Sequence, residues 1–156
     1  MKITKISAVI LALLLLFTGC GSGGSSAADV ADHIKSLSPA NITWVEIDRS
    51  KISTYFGISS SSVTDFKGYI NSSDVCFDLV AVFEFEGTDE HDAIINGAKT
   101  LAEQMSGNYS LVNVEESAKI SQMLIFEKGN FVIVYVADNS EDIKDYLQNS
   151  LKATEI

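Results

Sequence analysis

MLIFEKGNFVIVYVA, residues 123–137, is the stretch that decides the fold. Two apolar runs flank Lys128-Gly129-Asn130, and glycine beside asparagine between such runs predicts a tight β-hairpin. The second run, FVIVYVA, is apolar on both faces of a strand, so we expect it in the centre of a sheet. The core of the fold is therefore predicted to contain an antiparallel strand pair.

Two more strands are predicted upstream of this hairpin. In VCFDLVAVFEFE, residues 75–86, every odd position is apolar while acidic residues occupy several even positions, which predicts a strand with one buried face. TDFKGYI, residues 64–70, predicts its partner, with a β-bulge at Gly68. Cys76 falls in the first of these strands, where a free cysteine acts as a small hydrophobic residue.

Helices are predicted before, between and after these strands. A helix is predicted from Ala27 until Pro39, a short helix or turn in SKISTYFG ending at Gly57, and a long amphipathic helix from Thr88 to Ser106 closed by Gly107. Residues 113–121 predict a shorter helix, and another begins near Ser140. This order predicts an α+β domain, in which helices pack mainly on one face of an antiparallel sheet of about four strands.

The amino terminus predicts export and lipid attachment. Two lysines precede an apolar segment of ten residues, Ala8 to Phe17, which is typical of a signal peptide and too short to span a membrane. Phe17-Thr18-Gly19-Cys20 resembles the lipobox of bacterial lipoproteins, in which the cysteine is acylated and becomes the first residue. We therefore expect a signal peptide over 1–19, lipidated Cys20 with a Gly/Ser linker over 20–28, and a single domain over 29–156.

The net charge of the mature chain limits which kinds of partner we expect. Cleavage before Cys20 removes two of the 11 basic residues and none of the 21 acidic ones, which leaves a formal net charge of −12. Recognition of nucleic acid needs clustered lysine and arginine, so nucleic acid is not an expected partner. The expected partners are the membrane, through lipid on Cys20, and another envelope protein, with the domain on the extracytoplasmic face of the cell membrane.

Several elements together carry a family resemblance. Tyr55-Phe56-Gly57-Ile58, then CFDLVAVFEFE, a long helix and KGNFVIVYVADN follow one another behind the lipobox. In this order they resemble the bacterial lipoproteins catalogued as domain of unknown function 4358, and Gly129-Asn130-Phe131 is the most specific piece. The resemblance supports the predicted fold and location, and it implies no catalytic residues, because the family has no assigned activity.

Catalytic and metal sites find little support in the residues. The only histidines are His33 and His91, and no Gly-x-Ser-x-Gly motif accompanies them. The polar run Thr88 to Asp92 contains metal-ligand residue types, but its place at a helix start is explained by capping and by the helix dipole. We therefore expect no metal, no cofactor and no enzymatic activity.

One region concentrates aromatic side chains. Core packing is the simplest interpretation, but members exposed together would form the best candidate binding surface; they are Trp44, Tyr55, Phe56, Phe66 and Tyr69. The leading hypothesis is a non-enzymatic binding or interaction module of the cell envelope. The alternatives are a small-ligand binding or sensing domain, which requires a deep pocket near these aromatics, and an enzyme with an unrecognised site.

Overall fold

The computed structural model describes residues 25–71 and 75–156. Residues 1–24, which include the predicted signal peptide, Cys20 and most of the linker, lie outside the described residues, so predictions about them stay predictions. The elements in chain order are α1 (Ala27–Leu37), β1 (Trp44–Glu46), α2 (Ile52–Phe56), β2 (Asp65–Asn71), β3 (Leu79–Glu84), α3 (Thr88–Tyr109), α4 (Val114–Ser121), β4 (Leu124–Lys128), β5 (Phe131–Val136), α5 (Ser140–Asp145) and β6 (Thr154–Glu155). Short 3-10 turns occupy Arg49–Lys51 and Ser60–Ser62, and a π-helical turn, Tyr146–Ser150, continues α5.

One antiparallel sheet organises the fold. Its six strands run in the order β1-β2-β3-β5-β4-β6, and every neighbouring pair is antiparallel. The α+β class and the antiparallel sheet are confirmed, whereas the predicted count of about four strands is too low. The two additional strands, β1 and β6, lie at the edges and are only three and two residues long, too short to show a periodic pattern.

The predicted hairpin is confirmed. Lys128 pairs with Phe131, so Gly129 and Asn130 form a two-residue turn between β4 and β5. Gly129 has a φ of 58°, in the left-handed region that glycine adopts without steric cost. The following strand, β5, lies between β3 and β4 in the sheet, as its apolar sequence predicts.

Helices cover both faces of the sheet, so the prediction of helices mainly on one face is wrong. Odd residues of β3, such as Leu79 and Phe83, pack in one core cluster with α2, α3 and α4. Even residues, Val80 and Val82, pack in a second cluster with α1 and α5. The acidic residues that suggested a solvent-exposed face are Asp78, Glu84 and Glu86. Asp78 precedes β3, Glu84 is its last residue and Glu86 follows it, so none of them lies in the middle of the strand.

The strand predicted over 75–86 is shorter than expected. The backbone N–H of Phe77 donates to Glu116 Oε1 at 2.6 Å, so a side chain takes the place of a strand partner there. Cys76 therefore precedes β3 and is partly exposed. No bulge occurs at Gly68, because β2 and β3 pair one to one throughout; a Cβ at Gly68 would lie 2.6 Å from Phe66 Cζ.

The helix predictions are confirmed except for one boundary. The helix α3 continues through Gly107 to Tyr109, because the backbone of Gly107 keeps a negative φ and does not break the turn. The first helix begins at Ala27, which is fully buried, so packed structure includes residues 27 and 28. Within residues 25–71 and 75–156, no helix is both long and apolar enough to cross a membrane.

Candidate functional site

The structure does not bring the five predicted aromatic residues together. Phe56 and Phe66 are 2% and 9% exposed and belong to the core cluster under α3, and Tyr55 packs against that cluster. Tyr69 and Trp44 belong to the opposite face, with α1. Core packing therefore accounts for Phe56 and Phe66, and the aromatic group divides between the two faces of the sheet.

Trp44 and Tyr69 meet in a groove. Trp44 pairs with Asn71, so Trp44 and Tyr69 project from one face as diagonal neighbours on adjacent strands. The carboxyl half of α1 and the turn after Pro39 form the other wall, and the open groove between these walls has a volume of about 510 Å³. We call this cavity the Trp44 groove; its lining residues are Asp32, Lys35, Ser36, Ser38, Pro39, Ala40, Ile42, Trp44 and Tyr69.

Charged groups surround the ring of Tyr69. Its hydroxyl donates a hydrogen bond to Asp32, and the Lys35 ammonium lies 4.0 Å from the ring centroid. The Lys67 ammonium lies 5.3 Å from the same centroid and pairs with Glu46 at 2.7 Å. Burial, followed by the hydrogen bond to Asp32, raises the pKa of Tyr69 to about 12. The groove itself thus has one cation, Lys35, one carboxylate, Asp32, and the phenol of Tyr69, while Lys67 and Glu46 lie near Tyr69 outside its lining.

The indole of Trp44 is held without a polar partner. Trp44 lies on the edge strand β1 and is partly exposed, while its Nε1 atom is buried and has no hydrogen-bond partner within the described residues. Leaving a buried donor unsatisfied costs about 1–3 kcal/mol. Packing against the core cluster therefore holds the indole of Trp44 in the groove, which also contains the charged side chains of Asp32 and Lys35.

A buried charge cluster lies at the same end of the sheet, and sequence reasoning missed it. Lys119 Nζ contacts Glu116 Oε1 at 2.7 Å and Asp78 Oδ1 at 2.9 Å. Asp78 and Glu116 are 3% and 7% exposed, and Asn71 Nδ2 donates to Asp78 at 2.7 Å. Burial lowers the pKa of Lys119, but the hydrogen bonds that its ammonium donates to Glu116 and Asp78 outweigh this effect and raise the pKa overall. These bonds tie α4 to the ends of β2 and β3.

The loop between α3 and α4 exposes apolar side chains that sequence reasoning also missed. Leu111, Val112 and Val114 are 88%, 80% and 74% exposed. Glu116 in α4 contacts Phe77 just before β3, so this loop adjoins the end of the sheet that also carries Trp44. The signal in the sequence was three aliphatic residues directly after a long helix, where solvent-facing polar residues are usual.

A family model now accounts for most of this architecture. The model described as domain of unknown function DUF4358 matches residues 40–137, more than half of the chain. The chain belongs to the DUF4358 family. Comparison with curated proteins and with solved structures gives no match.

The DUF4358 region contains one wall of the groove. It includes β1 to β5, and with them Trp44 and Tyr69. The helix α1, which contributes Asp32 and Lys35, precedes the matched residues. The predicted resemblance to domain of unknown function 4358 is confirmed, while its lipoprotein part stays a prediction. The groove combines the family's sheet with a helix from outside the match.

The two histidines lie on opposite faces of the DUF4358 sheet. His33 in α1 packs against Tyr146 with ring centroids 4.7 Å apart. His91 in α3 contacts Asp92 at 3.1 Å and Glu127 at 3.0 Å. The described ranges contain no group of three or more His, Cys, Asp or Glu side chains that could hold a metal. Gly87 is the N-cap of α3 and the expected side-chain cap from Thr88 or Asp89 is not formed, although acidic residues do occupy the first turn.

The groove and the hairpin lie at opposite ends of the sheet. Strand pairing places Trp44 beside Asn71 at one end, and places Glu84, Phe131 and Lys128 in line at the other. The helix α1 connects these ends, because Val30 faces a cavity at the hairpin and Lys35 faces the groove. Its 11 residues span about 16 Å. The chain therefore enters the domain at the end opposite the groove.

Proposed function

We propose that this chain is a bacterial lipoprotein, anchored through lipid on Cys20 to the extracytoplasmic face of the cell membrane, whose domain binds a ligand and catalyses no reaction. The amino-terminal pattern of charge, apolar run and Cys20 supports the anchor. A diacylglycerol on the cysteine supplies two acyl chains, and each gains about 0.8 kcal/mol for every methylene that is buried in apolar surroundings.

The Trp44 groove is the observation that carries the binding function. Its volume of about 510 Å³ lies within the range of about 300–1,000 Å³ usual for small-ligand sites. Aromatic surface from Trp44, an ammonium from Lys35 and a carboxylate from Asp32 converge there. Such a site suits a polar ligand that carries both hydrogen-bond donors and acceptors, and the groove faces away from the end at which the chain enters.

The positions of the nucleophile and base candidates support a non-enzymatic role. Cys76 precedes β3 at the groove end, whereas His91 contacts Glu127 next to the hairpin at the other end. A nucleophile and its base must lie within hydrogen-bond reach of each other, and the length of the sheet separates Cys76 from His91.

Binding of an envelope protein is a second candidate function. The observation that favours it is the exposure of Leu111, Val112 and Val114 near the groove end, since exposed aliphatic residues in a contiguous segment are typical of protein interfaces. A tether also raises the local concentration of the domain at the membrane, so an interface of modest affinity can suffice.

Intrinsic fluorescence tests the groove directly, because Trp44 is the only tryptophan in the chain. The mature protein is titrated with soluble peptidoglycan fragments, short peptides and free sugars. We expect a saturable change in Trp44 emission with one class, lost in Asp32→Asn and Lys35→Ala and retained in Lys99→Ala, which changes an exposed lysine on α3. A change that persists in both groove variants would refute the assignment of the site.

Lipid attachment is tested separately. We expect Cys20→Ser to accumulate as the uncut precursor and to incorporate no labelled palmitate, because the acyl acceptor is removed. Recovery of processed, lipid-labelled protein from that variant would refute the anchor while leaving the groove untouched.

A further inference from the structure

A second cavity, of about 380 Å³, opens at the hairpin end of the domain. Its walls include the side chains of Val30, Ile133, Phe131 and Leu151, from α1, β5 and the segment after α5. Val30 and Ile133 are 4% and 1% exposed and belong to the core cluster of that face, so the cavity reaches into the apolar interior. Lining of this kind matches a hydrocarbon chain.

The polar residues that line this cavity, Ser25, Lys128 and Asn130, are all exposed, which places them at its rim. Lys128 lies at the mouth and donates a hydrogen bond to the carbonyl of Leu151, which ties the hairpin to the segment after α5. Ser25, the first described residue, also lies on the rim. An apolar interior with a polar rim suits an amphipathic molecule whose polar end stays outside.

The position of Ser25 identifies the occupant. Cys20 precedes Ser25 by five residues, and five residues extend at most about 18 Å. Lipid attached to Cys20 is thus held within reach of the cavity mouth at all times. A tethered ligand binds with a high effective concentration, which favours the acyl chain of the anchor over free lipids.

We propose that this cavity binds one acyl chain of the lipid on Cys20. The inference rests on the proposed lipidation and adds a binding site for the anchor within the domain itself. Occupancy holds the hairpin end towards the bilayer, so that the Trp44 groove faces outward.

Photo-crosslinking of the complete lipoprotein tests the site. The expressing bacterium is fed a diazirine analogue of palmitic acid, the purified protein is illuminated in vesicles, and crosslinked peptides are identified by mass spectrometry. We expect crosslinks from the anchor to peptides that contain Val30, Phe131 or Leu151. Crosslinks to phospholipid alone would overturn the cavity while leaving the anchor intact, and absence of incorporated label would overturn both.

A filled cavity provides the matched comparison. Leu151→Trp places a larger ring at the cavity, and Leu37→Trp makes the same change at a residue that is 42% exposed at the other end of α1. We expect the yield of crosslinks to Val30 to fall about tenfold or more in Leu151→Trp, which equals about 1.4 kcal/mol of binding, and to stay unchanged in Leu37→Trp. Equal yields in both variants, with thermal unfolding showing that both are folded, would refute the proposal.

Discussion

Tyr69 shows at the scale of one residue how burial fixes a protonation state. Its pKa is raised from 10.0 to about 12, mainly by burial and then by the hydrogen bond to Asp32. A raised pKa in the folded state means that the native protein holds the proton more tightly than the unfolded chain. The associated stability is therefore fully present below pH 10 and is lost as the pH rises towards 12.

Alkaline titration checks this effect. We expect ultraviolet absorbance to show Tyr69 ionising near pH 12, and the Tyr69→Phe variant to lose less stability than wild type between pH 10 and 12. Tyr135, whose pKa burial also raises to about 12, provides a comparison on β5 through Tyr135→Phe. If Tyr69 ionised near pH 10 in the folded protein, its assigned burial and hydrogen bond would be wrong.

Lys119 is a residue whose removal should cost several kcal/mol of stability. It is the counter-ion of two buried carboxylates, and breaking a buried pair by removing one partner costs about 3–5 kcal/mol. We expect Lys119→Met to lose that much in urea denaturation at pH 7, because both carboxylates lose their counter-ion. The control Lys99→Met changes an exposed lysine; an equal loss from both would contradict the cluster.

At the scale of elements, α2 and α3 approach through one glycine. A Cβ at Gly97 would lie 2.2 Å from the carbonyl oxygen of Phe56, a backbone atom, whereas a Cβ at Gly107 would meet nothing within 4 Å. Overpacking of this kind costs about 1–3 kcal/mol. Glycine to alanine at an open helical position stabilises by about 0.5–1 kcal/mol.

The two glycines form a matched pair within α3. We expect Gly97→Ala to lower the thermal midpoint and Gly107→Ala to raise it, both measured by circular dichroism. A stabilising Gly97→Ala would mean that α2 does not lie against α3 as described.

Local signals explain which elements the sequence could predict. The hairpin at Gly129, the end of α2 at Gly57 and the central position of β5 follow from turn chemistry and apolar runs within a few residues. Val80 and Val82 are apolar residues at even positions of β3, which indicates that helices cover both faces of the sheet. The acidic residues nearby suggested instead that one face is exposed to solvent. The strands β1 and β6 are too short to carry a pattern.

The candidate sites depended on contacts that sequence does not encode locally. The proximity of Trp44 and Tyr69 requires the pairing of β1 with β2, and the groove also requires α1 to pack across them. Lys119 and Asp78 are 41 residues apart in the chain. Only Asp78 gave a hint, since a carboxylate before an apolar strand needs a partner once it is buried.

At the scale of the whole molecule, the two described segments of the chain differ in net charge. Residues 25–71, which contain α1, β1 and β2, hold five acidic and four basic residues, a net charge of −1. Residues 75–156 hold fifteen acidic and five basic residues, a net charge of −10. All the residues that line the Trp44 groove belong to the nearly neutral segment.

We propose that the domain displays the Trp44 groove away from the membrane when lipid on Cys20 anchors it. Tryptophan quenching by nitroxide-labelled phospholipids measures this, with mature lipoprotein in vesicles and Trp44 as the only tryptophan. The comparison is Phe131→Trp in a Trp44→Phe background, which moves the tryptophan to the hairpin end. We expect strong quenching at residue 131 and little at Trp44; quenching of Trp44 as strong as that of residue 131 would contradict the account.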